Sequence, residues 1–309
     1  MKRFLLCALC AIFLLTGCGS ARAPEPTGEY TFTDDLGRTV SLDRPERVAV
    51  LTGSFTDLWV LAGGEDTLVA TAGDAWTSFG LELDRSVLDL GAIKNPDVER
   101  LFASEPDLVL ASSNTAAQVD LLPVLEQAGL TAAYFNVTNF DEYLNMLKIC
   151  TDLTGDAAAY ETYGAALAAQ IEGAKARDDG SAPTVLYLRC AASGCRVKNS
   201  RDTVLGEMLS DLGCINVADR EGALLEELSM EAILRADPDF IFAVLQGADP
   251  EPARQALEQS LLSDPAWQSL TAVQEGRFHV LEHRLYNLKP NARWGEAYEK
   301  LANILYPGP

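Results

Sequence analysis

The sequence predicts an α/β chain of two Rossmann-like lobes with mainly parallel sheets, joined by one long α-helix. Three observations predict this: an internal repeat, a wholly apolar strand closing each copy, and a long helix-forming stretch between the copies. The segment Asp97-Val-Glu-Arg-Leu-Phe-Ala-Ser-Glu-Pro-Asp-Leu-Val-Leu110 recurs without a gap as Ser229-Met-Glu-Ala-Ile-Leu-Arg-Ala-Asp-Pro-Asp-Phe-Ile-Phe242. Each copy has a capping residue (Asp97, Ser229), then a short helix, then an acidic-Pro-Asp turn. The helices carry apolar residues at Val98, Leu101 and Phe102, and at Met230, Ile233 and Leu234. Pro106 and Pro238 end them, because proline lacks an N–H and clashes with the preceding turn. The strands that follow show no polar alternation, as expected where both faces are covered. An offset of 132 residues is too long for a solenoid and means two similar lobes.

The remaining elements follow in order. A hairpin is expected from Tyr30 to Thr33 and Thr39 to Leu42, turning on Asp34-Asp35-Leu36-Gly37, and a strand from Arg47 to Leu51. Ser54 is expected to cap the next helix, and Asp57, in its first turn, is read as a cap as well. Phe140 to Leu153 and Ala157 to Arg177 read as helix, the second rich in Ala, Glu, Gln and Lys. A helix of about twenty residues spans roughly 30 Å, enough to cross between lobes. The loop Asp178 to Pro183 ends it, and Thr184 to Leu188 opens a second set of strands. The expected division is an N-terminal lobe at 30–139, a helical linker at 140–180 and a C-terminal lobe at 181–309.

At the start of the chain, Lys2 and Arg3 precede an apolar run from Phe4 to Leu15 that stops at Thr16-Gly17-Cys18. The run is too short to span a hydrocarbon core of about 30 Å and lies where a secretory signal belongs, over residues 1–17. Leu15-Thr16-Gly17-Cys18 resembles a lipobox, which would place a lipid on Cys18; the alternative is an ordinary secretory signal in which Cys18 is incidental. Residues 18–29 then form a tether, with the protein held on the extracytoplasmic face of the cell membrane by its lipid alone.

Formal charge is −21, and about −23 once Lys2 and Arg3 leave with the signal. Such a surface disfavours nucleic acid. At 309 residues and 48% hydrophobic content the chain can bury a large core in two domains. Cys190 and Cys195 flank Ala-Ala-Ser-Gly, so a bridge and a reduced pair are both open; Cys150 and Cys214 are expected to be buried thiols. The chain lacks G-x-S-x-G, the phosphate-binding G-x-x-x-x-G-K-[ST], H-E-x-x-H and G-x-G-x-x-G, which argues against an enzyme and leaves no catalytic residue to name. With only His279 and His283, a histidine-built metal site is also disfavoured.

The chain resembles the helical-backbone substrate-binding proteins of ABC importers for ferric siderophores, haem and cobalamin. The resemblance covers the whole mature chain. It rests on Phe32-Thr-Asp-Asp-Leu-Gly-Arg-Thr-Val40, on Arg47-Val-Ala-Val-Leu51 before a helix ending in Ala62-Gly63, on the repeated Glu-containing segments, and on Leu212-Gly-Cys-Ile-Asn-Val-Ala218. It implies a monomer that needs no cofactor and holds a small-molecule metal chelate between its lobes. It also implies delivery to an ABC permease dimer with its ATPase, docked through a glutamate on each lobe. By motif position these are Glu99 and Glu231, expected to face outward, away from the strand ends. Each alone would read as a first-turn acid at the positive end of a helix dipole, worth about 0.3–1 kcal/mol. Their pairing in the repeat favours docking.

A cleft of this kind is lined by loops at the carboxyl ends of strands. The candidates are Trp76, Lys94 and Ser112 in the N-lobe, and Arg189, Arg196, Lys198, His283, Arg284 and Tyr286 in the C-lobe. So many basic groups in an acidic chain suggest an anionic ligand, a ferric siderophore first. Haem would need Tyr286 or His283 as axial ligand with Arg at the propionates, and cobalamin would use more apolar contacts. A surface sensor or adhesion module without a permease is the other class of function.

Overall fold

The computed structural model describes residues 28–247 and 249–308, so the signal stretch and Cys18 lie outside the described residues. The N-lobe sheet runs in the order Leu88–Asp89, Leu68–Thr71, Val48–Val50, Leu108–Ser112, Thr131–Phe135, with all neighbours parallel. The C-lobe sheet runs Gly194–Lys198, Thr184–Ala191, Phe240–Leu245, Phe278–Leu281, and the short Ile215–Asn216 pairs with Thr184–Ala191. Only Gly194–Lys198 is antiparallel, as the return strand of a hairpin.

Side chains alternate between the faces of a strand, and the two faces of each sheet enter different cores. Val48, Val50, Leu108 and Leu110 share one central core with Val185, Tyr187, Phe242 and Val244 of the other lobe. The complementary set, Ala49, Leu51, Val109 and Ala111, packs outward with Leu101. In the C-lobe, Leu186, Leu188, Ile241 and Ala243 do the same with Ile233. Leu101 and Ile233 are repeat equivalents, so both repeat helices form the outer layer of their lobes.

The repeat extends to fine detail. Helices Val98–Ala103 and Met230–Ala236 are capped as expected, the Asp97 carboxylate accepting from Arg100 N and the Ser229 hydroxyl from Ala232 N. Glu105 and Asp237, each before its proline, take left-handed backbones with φ of 44° and 36°. The right-handed helical region is disfavoured before proline, and a left-handed non-glycine residue is held only by its surroundings. Arg47 Nε donates to Glu105 O at 2.8 Å, while Thr271 donates N–H and O–H to the Asp237 carboxylate at 2.9 and 2.7 Å.

Between the lobes, helix Phe140–Thr154 starts at the Asn139 cap and stops at Gly155, whose φ of 77° needs glycine. The next helix runs from Ala157 through a π-turn at Glu161–Ala165 to Lys175, two residues short of the expected end. Helix Trp294–Leu305 lies along it. At the close approach stands Gly295, where a Cβ would fall 1.9 Å from Gln170 Oε1 and displace that side chain. Trp294 then meets the rings of Phe140 and Tyr143 at 5.8 and 6.1 Å, tying the chain's last helix to the crossing.

Cys190 and Cys195 are paired as a disulfide at directly opposed hairpin positions, and Cys150 and Cys214 are buried free thiols. Burial pushes the Cys214 thiol up to about 12 and that of Cys150 higher still, so both stay protonated. The expected Ser54 cap is corrected. Thr52 Oγ1 accepts from Phe55 N, one turn-start earlier, and Ser54 lies inside helix Gly53–Leu61.

Candidate functional site

The carboxyl ends of the two sheets meet across a cleft with two adjoining chambers. The outer, about 430 Å³, is walled by Thr77 and Ser78 of the N-lobe and by Leu245, His283, Arg284 and Leu288 of the C-lobe. The inner, about 130 Å³, is walled by Thr52, Asp74, Ser112 and Thr115 on one side and by Leu288 and Lys289 on the other. Strand endings explain the N-lobe wall. Val48–Val50 ends into the Thr52 cap, Leu68–Thr71 into helix Asp74–Thr77, and Leu108–Ser112 at Ser112 itself. Gly53 lets the first two approach: its N–H donates to Asp74 Oδ1 at 2.7 Å, and a Cβ there would fall 2.5 Å from Ala75 N.

A clasp joins the lobes beside the chambers. Arg284 Nη2 pairs with Asp57 Oδ2 at 2.9 Å, Nη1 donates to Lys289 O at 2.5 Å, and the guanidinium lies 4.0 Å from the Phe79 ring centre. Asn291, buried and with φ of 52°, donates to the same Asp57 oxygen at 2.7 Å and to Ser54 O at 2.8 Å. Asp57 is therefore no cap, since its carboxylate reaches across to the other lobe. Arg284 lines the outer chamber, but both of its terminal nitrogens are already engaged.

The other candidate cations of the C-lobe lack such an acidic partner among the described residues. Arg189 stands opposite Arg196, and Lys198 opposite Tyr187, on the sheet face that turns inward with Tyr187. Arg189 donates to Tyr187 Oη at 3.2 and 3.0 Å through Nε and Nη2. Among the described residues no carboxylate is ion-paired with Arg189, Arg196, Lys198 or Lys289. Burial, then the neighbouring Arg189 and Arg196, lowers the Lys198 amine below the usual lysine range. Burial and Arg189 do the same to Lys289, with partial relief from Glu142 and Asp74. Burial also lowers His283, whose buried Nδ1 has no hydrogen-bond partner.

The remaining candidates divide. Ser112 lines the inner chamber. Trp76 is half-buried against the central core while its neighbours Thr77 and Ser78 line the outer chamber; the other three tryptophans are fully buried. Lys94 is exposed in the turn between Gly91–Ala92 and Asn95–Pro96 and lines neither chamber, although Ile93 beside it does. Arg196 and Lys198 share the inward face without lining a chamber. Tyr286 is corrected: it is buried in the central core and its hydroxyl donates to Ala297 O at 3.1 Å. Tyr286 closes the four-residue helix His283–Tyr286 against the central core, while His283 at its start lines the outer chamber. Sequence reasoning stopped there and missed Lys289 and Asn291. The available signal was a basic segment, from His283 to Arg293, within an acidic chain.

Glu99 and Glu231 are exposed first-turn residues. Asp97 N donates to Leu90 O, and Leu90 N to Thr71 O, which ties the start of the first repeat helix to the end of strand Leu68–Thr71. Helix Met230–Ala236 descends toward the start of Phe240–Leu245, so its first turn is likewise at the carboxyl edge. The expectation that both lie away from strand ends is thus corrected. They sit on the outer layers, but at the edge where the cleft lies.

Two lobes thus oppose their carboxyl edges across a divided cleft. The chain belongs to the periplasmic binding protein family, whose model matches residues 48–285. Among solved structures it is similar to a periplasmic haem-binding protein from Pseudomonas aeruginosa, at 25% identity and a TM-score of 0.66, covering 85% of this chain and 94% of that one. It is also similar to the catecholate-siderophore binding protein VctP from Vibrio cholerae, at 14% identity and 0.69, over 89% and 99% of the two chains. The vitamin B12 binding protein BtuF from Vibrio cholerae matches at 18% and 0.67, over 85% and 98%. No curated protein matches the sequence. Among the described residues, no helix is long and apolar enough to cross a membrane, and no cluster of three or more His, Cys, Asp or Glu could hold a metal ion.

Proposed function

We propose that this protein captures a metal chelate, an anionic ferric siderophore ahead of cobalamin, between its lobes and delivers it to an ABC permease dimer with its ATPase. The observation that carries this reading is the set of inward-facing C-lobe cations without carboxylate partners, in a chain of net charge −21. Arg189, Lys198 and Lys289 are part-buried, so leaving them unpaired carries a cost, and an anionic guest supplies what the protein does not. The deciding experiment is native mass spectrometry of protein purified from iron-limited cells, followed by titration with ferric siderophores, haemin and cobalamin. Retention of none, and no binding at micromolar concentration, refutes the reading.

Haem is the second reading because His283 lines the outer chamber with a free buried nitrogen. It predicts a haemin absorption spectrum that changes in His283→Ala, and the engagement of Tyr286 leaves His283 as its axial candidate.

Delivery rests on Glu99 and Glu231, equivalent, exposed and on the same edge as the cleft. Glu99→Ala and Glu231→Ala should each lower cellular uptake and leave solution affinity nearly unchanged; lost affinity in either would defeat the docking role. Membrane attachment rests on Cys18. Cys18→Ala should abolish labelling by fatty acid, and equal labelling of the variant would refute the anchor.

A further inference from the structure

The inner chamber differs from the outer in size and in chemistry. At about 130 Å³ it admits an arm of a few heavy atoms and excludes the body of a chelate, which the outer chamber of about 430 Å³ can receive. Leu288 lines both, so one molecule can enter the two at once. The inner walls offer the hydroxyls of Thr52, Ser112 and Thr115 and a single cation, Lys289. That residue is part-buried and lines the chamber, and its amine has no hydrogen-bond or ion-pair partner among the described residues.

We infer that the inner chamber is a subsite for one carboxylate arm of the bound chelate, with Lys289 as the residue that selects it. This rests on the binding reading above and adds to it the shape of the ligand: a bulky body with a slender anionic arm. Two further observations support the assignment. Arg284 Nη1 donates to Lys289 O, so the inter-lobe clasp fixes the backbone that presents the amine. Arg284 is a positioning residue in this arrangement. Asp74, in the same wall, relieves Lys289 only in part: it accepts from Gly53 N, forms no ion pair with the lysine, and is pushed toward the neutral form by burial, which outweighs the lysine's attraction. A lysine enclosed without a partner weakens the fold, and an arriving carboxylate turns that liability into a charge-assisted hydrogen bond.

The test uses matched pairs that differ only in their carboxylates: haemin against its dimethyl ester, and a ferric hydroxamate chelate with a carboxylate arm against its methyl ester. Wild type should bind the free acids at least tenfold more tightly than the esters. Lys289→Met should lose that preference and keep its ester affinity, with an unfolding midpoint equal to or above wild type. Arg254→Gln, an exposed change on a helix packed against the outer C-lobe core, should retain the preference. Should Lys289→Met fail to fold, wild type alone suffices, because its acid preference should fade at alkaline pH as the lysine deprotonates. Equal binding of acid and ester by wild type, or an intact preference in Lys289→Met, overturns the subsite while leaving the binding reading in place. If wild type binds none of the four compounds, both fall.

Discussion

The two lobes share their outer layers and differ in what they bring to the cleft. On the outside the repeat is faithful, down to the capped helix, the buried Leu101 or Ile233 and the left-handed residue before proline. At the cleft, the N-lobe presents the hydroxyls of Thr52, Ser112 and Thr115, while the C-lobe presents His283, Arg284 and Lys289, with Arg189 nearby on the sheet. Matching outer faces suit contact with a symmetric partner, and unlike inner faces suit an asymmetric ligand. The difference teaches that the repeat sets the scaffold, while the cations of the cleft stand on one side of it.

The sharpest way to break this comparison is to remove the clasp that holds the unlike faces together. Arg284→Ala strands the part-buried Asp57 carboxylate, whose side chain is 16% exposed. Loss of one partner from a fully buried pair costs about 3–5 kcal/mol; with partial exposure, about 2–3 kcal/mol is expected here, read as a lowered denaturation midpoint. Asp57→Ala should cost a similar amount and the double variant little more than either. Additive losses would show that the two side chains do not act as a unit.

The shared half of the comparison was legible in the sequence and the differing half only in part. Hairpin strands Tyr30–Thr33 and Thr39–Leu42 and both repeat helices fall where apolar periodicity and capping residues put them. These signals are local. The clasp is not, because Asp57 and Arg284 stand 227 positions apart and nothing near Asp57 separates a cap from a cross-lobe acid. Tyr286 misled for the same reason: position after a strand says that a residue is near the cleft, and the turn of a short helix decides which way it points. Lys289 carried no motif at all, and its meaning comes from the chamber around it.

Within the cleft, the comparison sharpens by ranking its cations. Arg189→Ala should weaken binding of an anionic ferric chelate ten- to a hundredfold, about 1.5–3 kcal/mol for a charge-assisted contact. Arg196, its exposed partner across the hairpin, should contribute far less, and salt should erase its share. Titrations at low and high ionic strength separate the two. Equal losses in both variants would mean that the exposed side of the hairpin meets the ligand as fully as the part-buried Arg189 does. Quenching of tryptophan emission by the same ligand should vanish in Trp76→Phe, since the other tryptophans are fully buried.

The smallest expected effect is a pH dependence confined to the cationic side. His283 has its folded pKa lowered, chiefly by burial, with the nearby Arg189 and Arg284 charges in the same direction and the Leu245 backbone opposing. Between its folded value and the ordinary histidine value near 6.5, the unfolded chain binds more protons than the folded one at this site. Stability from His283 is therefore present above the ordinary value and is lost as pH falls through that window. Several part-buried acids, Asp35, Asp74 and Glu207, have raised folded values and act in the opposite sense, gaining as pH falls. Total stability thus hides the histidine, and the informative quantity is the difference between wild type and His283→Gln. That difference should move against wild type from pH 7 to pH 5. A bound anion beside His283 favours its charged form and should shrink the change, so repeating the series with the chelate present tests whether this face is the one that the ligand covers. A difference that does not vary with pH would show that His283 is as well solvated in the fold as in the unfolded chain, and would remove it from the wall of the cleft.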